Sequence, residues 1–316
     1  MTLDPITLEV INNRLREIGA TMSHILFHSG YSTILRESRD GSAGICNAQA
    51  EAVIAEGTPI HLYPYHKSTQ AVLEAYGADA LEEGDSFMLT DPYEAGTAHL
   101  PDLVIVTPVF VEGQVFAFSV SIAHKPDLGG LVPGSSSPGA REIYHEGLLV
   151  PPVRYWTRDG VVREVEAIVK RNSRVPETIA GDIRAQVGCT RIGAERIVEL
   201  CREYDPETIQ QAMSELLRLT DKRIRDGLRQ WPDGEAEAEG WVDDDGVDRD
   251  KPVRLHVRIA KRGDELTIDF SDSSEQAKGP INLGPAVSEA GSLVAVLTSL
   301  DPTIPVNDGA RRAINF

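Results

Sequence analysis

Residues 90–102 read Thr-Asp-Pro-Tyr-Glu-Ala-Gly-Thr-Ala-His-Leu-Pro-Asp. An apolar run at 103–110, the tripeptide Val111-Glu112-Gly113, a second run at 114–123, and His-Lys-Pro-Asp-Leu-Gly-Gly at 124–130 follow. The two runs read as strands, and Val111-Glu112-Gly113 reads as the hairpin turn between them, with Gly at a position of positive φ. A hairpin returns the chain to its start. His99 and His124, at the outer ends, are therefore expected side by side. Each is followed three residues later by an aspartate, Asp102 and Asp127. Two imidazoles with one or two carboxylates at one end of a hairpin are a donor set for a divalent metal.

The rest of the chain is compatible with a soluble protein around that hairpin. Its 316 residues suffice for a sizeable core. Lys plus Arg is 31 against 49 for Asp plus Glu, a formal net charge of -18. Such a balance argues against nucleic acid and against anionic membrane surfaces as partners. Met1-Thr2-Leu3-Asp4-Pro5 lacks the basic and apolar regions of a signal peptide, and no apolar run approaches the ~20 residues of a membrane span. Cys46, Cys189 and Cys201 are odd in number and scattered, as in a reduced, cytoplasmic protein.

Asp4 suits an N-cap and Pro5 the first helical position, and apolar residues at helical spacing predict a helix over about 4–28. His24 and His28, one turn apart near its end, read either as a ligand pair or, more simply, as imidazoles that suit a helix C-terminus without any metal. Residues 31–39 read as polar and irregular. They lead to a short hairpin at 43–46 and 52–55, with Glu37 and Asp40 just before it. Residues 58–62 read as a loop entering a helix of about 66–77, with His61 either a pocket residue or an internally satisfied histidine. Residues 86–89 read as a strand. Residues 133–139 are too rich in Gly, Ser and Pro for regular structure, as in a lid, an anion-binding loop or a connector. The pattern is helical over 161–230, turns toward period two over 236–270, and ends in a helix at 288–300. His256 falls on the polar face of its strand and is expected to be exposed.

Several motifs in order resemble the hydantoinase B/oxoprolinase family. They are Asp91-Pro92-Tyr93, His99-Leu100-Pro101-Asp102, His124 with Asp127, Gly129, Gly130, Pro133, Gly134 and Ser135, Glu146-Gly147 before Pro151-Pro152, Asp269-Phe270-Ser271, Gly279-Pro280-Ile281-Asn282, and Ile304 to Gly309. With the opening from Asp4 to Val10, the resemblance runs over essentially the whole chain. It implies the B subunit of an ATP-dependent hydrolase of cyclic amides, hydantoinase or 5-oxoprolinase in type. A partner subunit of the hydantoinase A type would bind ATP and phosphorylate the substrate carbonyl. Consistent with that division, the chain has no phosphate-cradling Gly-x-x-x-x-Gly-Lys-Ser/Thr loop. The acetone carboxylase branch implies the alternative of a ketone carboxylase subunit. A non-catalytic structural subunit is the third reading.

By resemblance the metal, Zn, Mn or Fe, is held by Glu37, His99, Asp102 and His124. Asp40 is the other candidate carboxylate, because Arg36-Glu37-Ser38-Arg39-Asp40 departs from the expected Glu-Arg-x-Asp. Asp102, His124 and Asp127 form the catalytic set, Asp127 orienting an imidazole or accepting a proton. Gly129, Gly130 and Ser135 are expected to contact phosphate, and Tyr93 and His61 the substrate. Typical members continue well past Asn307-Asp308-Gly309, so this chain resembles their N-terminal part. The expected fold is α+β over 1–316. A mixed sheet carries the metal site within 1–160, after an N-terminal helix. A helical segment spans 161–230, and a strand-rich segment with the last helix spans 231–316.

Overall fold

The fold is described from a computed structural model covering residues 3–57, 59–134 and 137–316. The first helix, α1, spans Pro5–Ser29. Asp4 caps it, accepting from the backbone N–H groups of Ile6 and Thr7 at 2.9 and 3.2 Å. Ile11, Leu15, Ile18, Met22 and Leu26 make its buried stripe. Each such side chain contributes about 1.5–3 kcal/mol by leaving water.

Strands β1 (Gly41–Asn47) and β2 (Ala52–Glu56) form the expected short hairpin. Helix α2 spans Leu62–Tyr76, starting earlier than the predicted 66–77. Pro64 lies in its first turn, where a missing N–H costs nothing, so the proline does not delay the start. After β3 (Ser86–Leu89), the central hairpin is β4 (Asp102–Val111) and β5 (Gln114–His124). Its two-residue turn has positive φ at both Glu112 (53°) and Gly113 (79°), the pattern of a type I′ turn. Strands β6 (Val153–Thr157) and β7 (Gly160–Val161) complete a seven-stranded sheet of order β2-β1-β5-β4-β3-β6-β7.

Helices α3 (Arg163–Arg171), α4 (Pro176–Tyr204) and α5 (Pro206–Leu228) follow. A second sheet holds β8 (Gly234–Val242), β9 (Val253–Arg262), β10 (Glu265–Asp269) and the terminal β11 (Ile314–Asn315); α6 spans Pro285–Leu300. The molecule is thus α+β. The mixed character expected of the site-bearing sheet lies elsewhere. Every pair in the seven-stranded sheet is antiparallel among the described residues, and the parallel pair is β10 with β11.

Alternation splits the central sheet into two buried faces. Cys46, Val104, Val106, Phe118, Val120 and Ile122 pack toward α2, β10 and α6. Ala43, Ile45, Ala117 and Ala123 pack toward α1, α4 and α5. Strands covered on both sides explain the near-continuous apolar runs of the sequence. Two further expectations are corrected. Residues 34–38 form a π-helical turn, Ile34–Ser38, rather than an irregular loop. His256 is buried, at 6% exposure, and its backbone N–H donates to Ser273 Oγ at 3.0 Å. The polar segment around Ser273 covers that face of β9, while Leu255 on the other face is exposed.

Candidate metal centre

The β4–β5 register places Asp102 directly opposite His124. His99 sits on the bend that leads into β4. Its Nε2 lies 3.1 Å from Asp102 Oδ1 and 3.2 Å from His124 Nδ1. His124 Nδ1 lies 3.3 Å from the same Asp102 oxygen. Ligand atoms of His99, Asp102 and His124 all lie within 4.8 Å of one another, a group able to hold a metal ion. Tetrahedral bonds of about 2.0–2.1 Å separate ligand atoms by about 3.4 Å, so these spacings suit a small divalent cation. The donor chemistry suits it too. Two imidazole nitrogens turned toward each other need a cation or a proton between them, and a carboxylate supplies the negative charge.

Asp102 is nearly fully buried, and burial alone would raise its pKa. Hydrogen bonds from His124 and His99 overcome that and hold its carboxyl far below the usual carboxylate range. Burial opposes protonation of His99, but the hydrogen bond and charge of Asp102 outweigh it and leave the His99 pKa raised.

The two candidate carboxylates of the first loop lie at different distances from the histidines. The backbone N–H of His124 donates to the Asp40 carbonyl at 3.1 Å, extending the β1–β5 ladder by one position. Asp40 Oδ2 thereby comes 3.9 Å from His124 Nδ1. Glu37 is exposed on the π-helical turn, with no ion pair to either histidine among the described residues, and neither it nor Asp40 belongs to the three-residue cluster. That turn closes with Arg39 in the left-handed region (φ 53°), which delivers Asp40 rather than Glu37 to the sheet end. The loop before it is anchored from far along the chain. Asp182 Oδ1 on α4 accepts from the backbone N–H groups of Tyr31 and Ser32 at 2.7 and 3.0 Å. One turn on, Gln186 donates to the carbonyls of Leu103 and Ser121, fixing α4 against both strands of the central hairpin.

Asp127 is placed differently from expectation. Its carboxylate is buried and engaged by Arg174, through Nη1 at 2.7 Å and the backbone N–H, and by Ser173 Oγ at 3.4 Å. It makes no hydrogen bond to either imidazole among the described residues. Arg174 also donates to the carbonyls of Gly129 (3.4 Å) and Gly130 (2.8 Å), so Asp127 clamps this loop onto the segment that enters α4. Gly129 and Gly130 both have positive φ, and a Cβ on Gly130 would come within 2.5 Å of the His145 carbonyl oxygen. Close packing accounts for both glycines. Ser135 lies outside the described residues. Tyr93 is 70% exposed on the turn after β3, with no side-chain hydrogen bond among the described residues.

His61 and Glu146 belong to the centre's surroundings. His61 is buried, and burial lowers its pKa, while the charges of Asp102 and Asp40 act against the shift. Glu146, which in the sequence marks only a motif position, is half-buried. Burial raises its pKa, and its charge and that of His99 act on one another. No spacing rule links residue 146 to residue 99; only the packing of the 128–131 and 145–148 backbones, Leu131 N–H to His145 O and Leu148 N–H to Leu128 O, brings it in.

An antiparallel sheet end bearing two histidines and converging carboxylates, backed by long helices, defines an α+β protein with a candidate divalent-cation centre. Residues 4–316 match the hydantoinase B/oxoprolinase family, and the chain belongs to it. It is 33% identical to the putative B subunit of a D-/L-hydantoinase from Pseudomonas sp. (strain NS671), over 99% of this chain and 55% of that one. The crystal structure of the ATP-dependent caprolactamase from Pseudomonas jessenii superposes with a TM-score of 0.91 at 28% identity, over 100% of this chain and 54% of that one. A nucleotide-free acetone carboxylase structure, at 19% identity and a TM-score of 0.89 over 99% and 43%, shares the fold. The chain spans about half the length of the curated relatives it matches.

Proposed function

We propose that this chain is the metal-bearing B-type subunit of an ATP-dependent hydrolase of cyclic amides. It would act on a substrate carbonyl phosphorylated by a partner subunit of the hydantoinase A type. The observation that carries this reading is the convergence of His99 Nε2, His124 Nδ1 and Asp102 Oδ1 within 3.1–3.3 Å at one sheet end. The hydantoinase and caprolactamase names of its relatives supply the substrate class.

His99, Asp102, His124 and Asp40 would hold the cation. Two carboxylates offset its double charge, as a site among neutral imidazoles requires. When bound, a divalent cation supplies Lewis-acid chemistry, making water nucleophilic near neutral pH and polarising an oxygen of the substrate. In the metal-free centre one Asp102 oxygen lies within hydrogen-bond reach of both imidazoles, and holding a cation would require His99 Nε2 and His124 Nδ1 to give up any proton shared there. Glu146 is assigned proton transfer: a carboxyl with a raised pKa takes a proton from the attacking water more readily than an ordinary one. Asp127 is assigned to the loop clamp and not to chemistry. Phosphorylation of the carbonyl oxygen overcomes amide resonance by creating a good leaving group, so the division of labour between two subunits is chemically sufficient.

Co-purification with an A-type subunit, metal analysis, and ATP turnover with a hydantoin or a lactam test the proposal. The expected result is a stoichiometric divalent metal and substrate-stimulated phosphate release by the pair only. Bicarbonate-dependent turnover of a ketone, without amide hydrolysis, would replace it with the carboxylase reading.

A further inference from the structure

Three buried side chains beside the metal centre engage one another, and among the described residues His61 Nε2 has no hydrogen-bond partner. The Tyr65 hydroxyl, on α2, lies 2.5 Å from Ser42 Oγ on β1. Ser42 Oγ lies 2.6 Å from His61 Nδ1. Tyr65 and Ser42 are fully buried and His61 is 6% exposed. Each hydroxyl has one proton to give. The second acceptor within reach of Tyr65, the Glu56 carbonyl, is 3.5 Å away, so the phenol donates to Ser42. Among the described residues the buried Ser42 hydroxyl has no other acceptor, so its proton is assigned to His61 Nδ1. An imidazole that accepts at Nδ1 carries its own proton on Nε2.

Alternation along the chain fixes where that ring stands. Asp40, Ser42 and Gly44 share the face covered by α2. Gly44 makes room for the phenol, since a Cβ there would come within 2.9 Å of Tyr65 Cε2. Asp40 is one same-face step from Ser42, about 7 Å along the strand. The charges of Asp102, Asp40 and His99 all act on His61. Held to Ser42 one same-face step from Asp40, the His61 ring stands beside the centre. His61 also precedes the 15-residue helix α2, whose N-terminal dipole favours an anion and disfavours an imidazolium.

We propose that the Tyr65–Ser42–His61 chain fixes His61 as an uncharged Nε2–H donor to a phosphoryl oxygen of the activated substrate. This rests on the function proposed above for the source of the phosphoryl group. A neutral donor contacts the anion without adding positive charge beside the cation. Tyr65 and Ser42 are positioning residues that act through His61.

The test uses the whole chain labelled with 15N-histidine, with and without added zinc, the His61 signals being assigned through His61→Gln. Across about pH 6–8 the parent is expected to show a pyridine-type Nδ1 and a pyrrole-type Nε2. Ser42→Ala and Tyr65→Phe are expected to give a mixture of tautomers. Inorganic phosphate is expected to shift the Nε2 signal saturably, and acetate, standing for a carboxylate product, is not. His61→Gln is expected to keep its zinc and to bind phosphate at least about fivefold more weakly by calorimetry. A protonated Nδ1 in the parent overturns the proposal, as does a response to acetate alone. A parent that fails to bind zinc while the tautomer and phosphate responses hold sinks the metal assignment and leaves this inference standing.

Discussion

His124 Nδ1 stands 3.2 Å from His99 Nε2, although 25 positions separate them in the chain. The type I′ turn at Glu112-Gly113 and the register of β4 with β5 produce that approach. Asp102, opposite His124, bridges the pair with one oxygen. Asp102→Asn is expected to weaken zinc binding by at least about 100-fold, because an amide supplies a dipole where a charge is needed. The metal-free variant is expected to keep its circular dichroism spectrum. Metal content after dialysis against a weak chelator checks this, and full retention would remove Asp102 from the centre.

Asp40 and Glu37 give a direct comparison. Asp40 Oδ2 lies 3.9 Å from His124 Nδ1, while Glu37 makes no such pair among the described residues; neither belongs to the His99–Asp102–His124 cluster. Asp40→Asn is expected to cost about tenfold or more in zinc affinity, and Glu37→Gln less than about twofold. Competition titration with a fluorescent zinc chelator measures both, and the reverse order would return the ligand role to Glu37.

Asp127 and Arg174 predict a stability effect separate from catalysis. The aspartate is buried, while the arginine side chain is 44% exposed. Screening reduces the charge contribution on the arginine side, but Arg174→Met still strands a buried carboxylate. The expected loss is about 1–3 kcal/mol, with zinc affinity unchanged. Urea denaturation with parallel metal titration decides; an unchanged urea midpoint would mean that the clamp carries no weight.

His61 and His99 act on stability in opposite directions as pH changes. Burial lowers the His61 pKa, so its cost to the fold is absent above the ordinary histidine value of about 6.5 and grows as pH falls through it. The raised pKa of His99 means that its contribution is fully present below about 6.5 and is lost as pH rises through the folded value. In the metal-free chain, His61→Gln is expected to flatten the loss of stability below about pH 6.5, and His99→Gln the loss above it. Urea midpoints across about pH 5–8 test both, and variant curves parallel to the parent's would contradict the assignments.

The central hairpin was legible because its information is local. A Gly in the turn, two apolar runs and a histidine at each end fix a return of the chain, and period-two pleating then sets side chains opposite one another. Asp4-Pro5 and the apolar stripe of α1 were legible for the same reason: capping and helical period act within a few residues. The start of α2 and the π-helical turn were not, since propensity does not register a proline tolerated in a first turn or one extra residue in another.

What the sequence determined by itself was the pair of imidazoles, the carboxylate three residues after His99, and the family that these motifs mark. What the tertiary structure decided was which distant groups join or leave them. Asp182, on α4, holds the loop that brings Asp40 rather than Glu37 to the sheet end. Arg174 takes Asp127 away from the histidines, and α2 supplies Tyr65 to set the proton on His61. The physical reason is range. Turn chemistry and side-chain period act between near neighbours. Pairing a buried charge or anchoring a loop depends on groups 47 or 150 positions apart, and only packing brings them together.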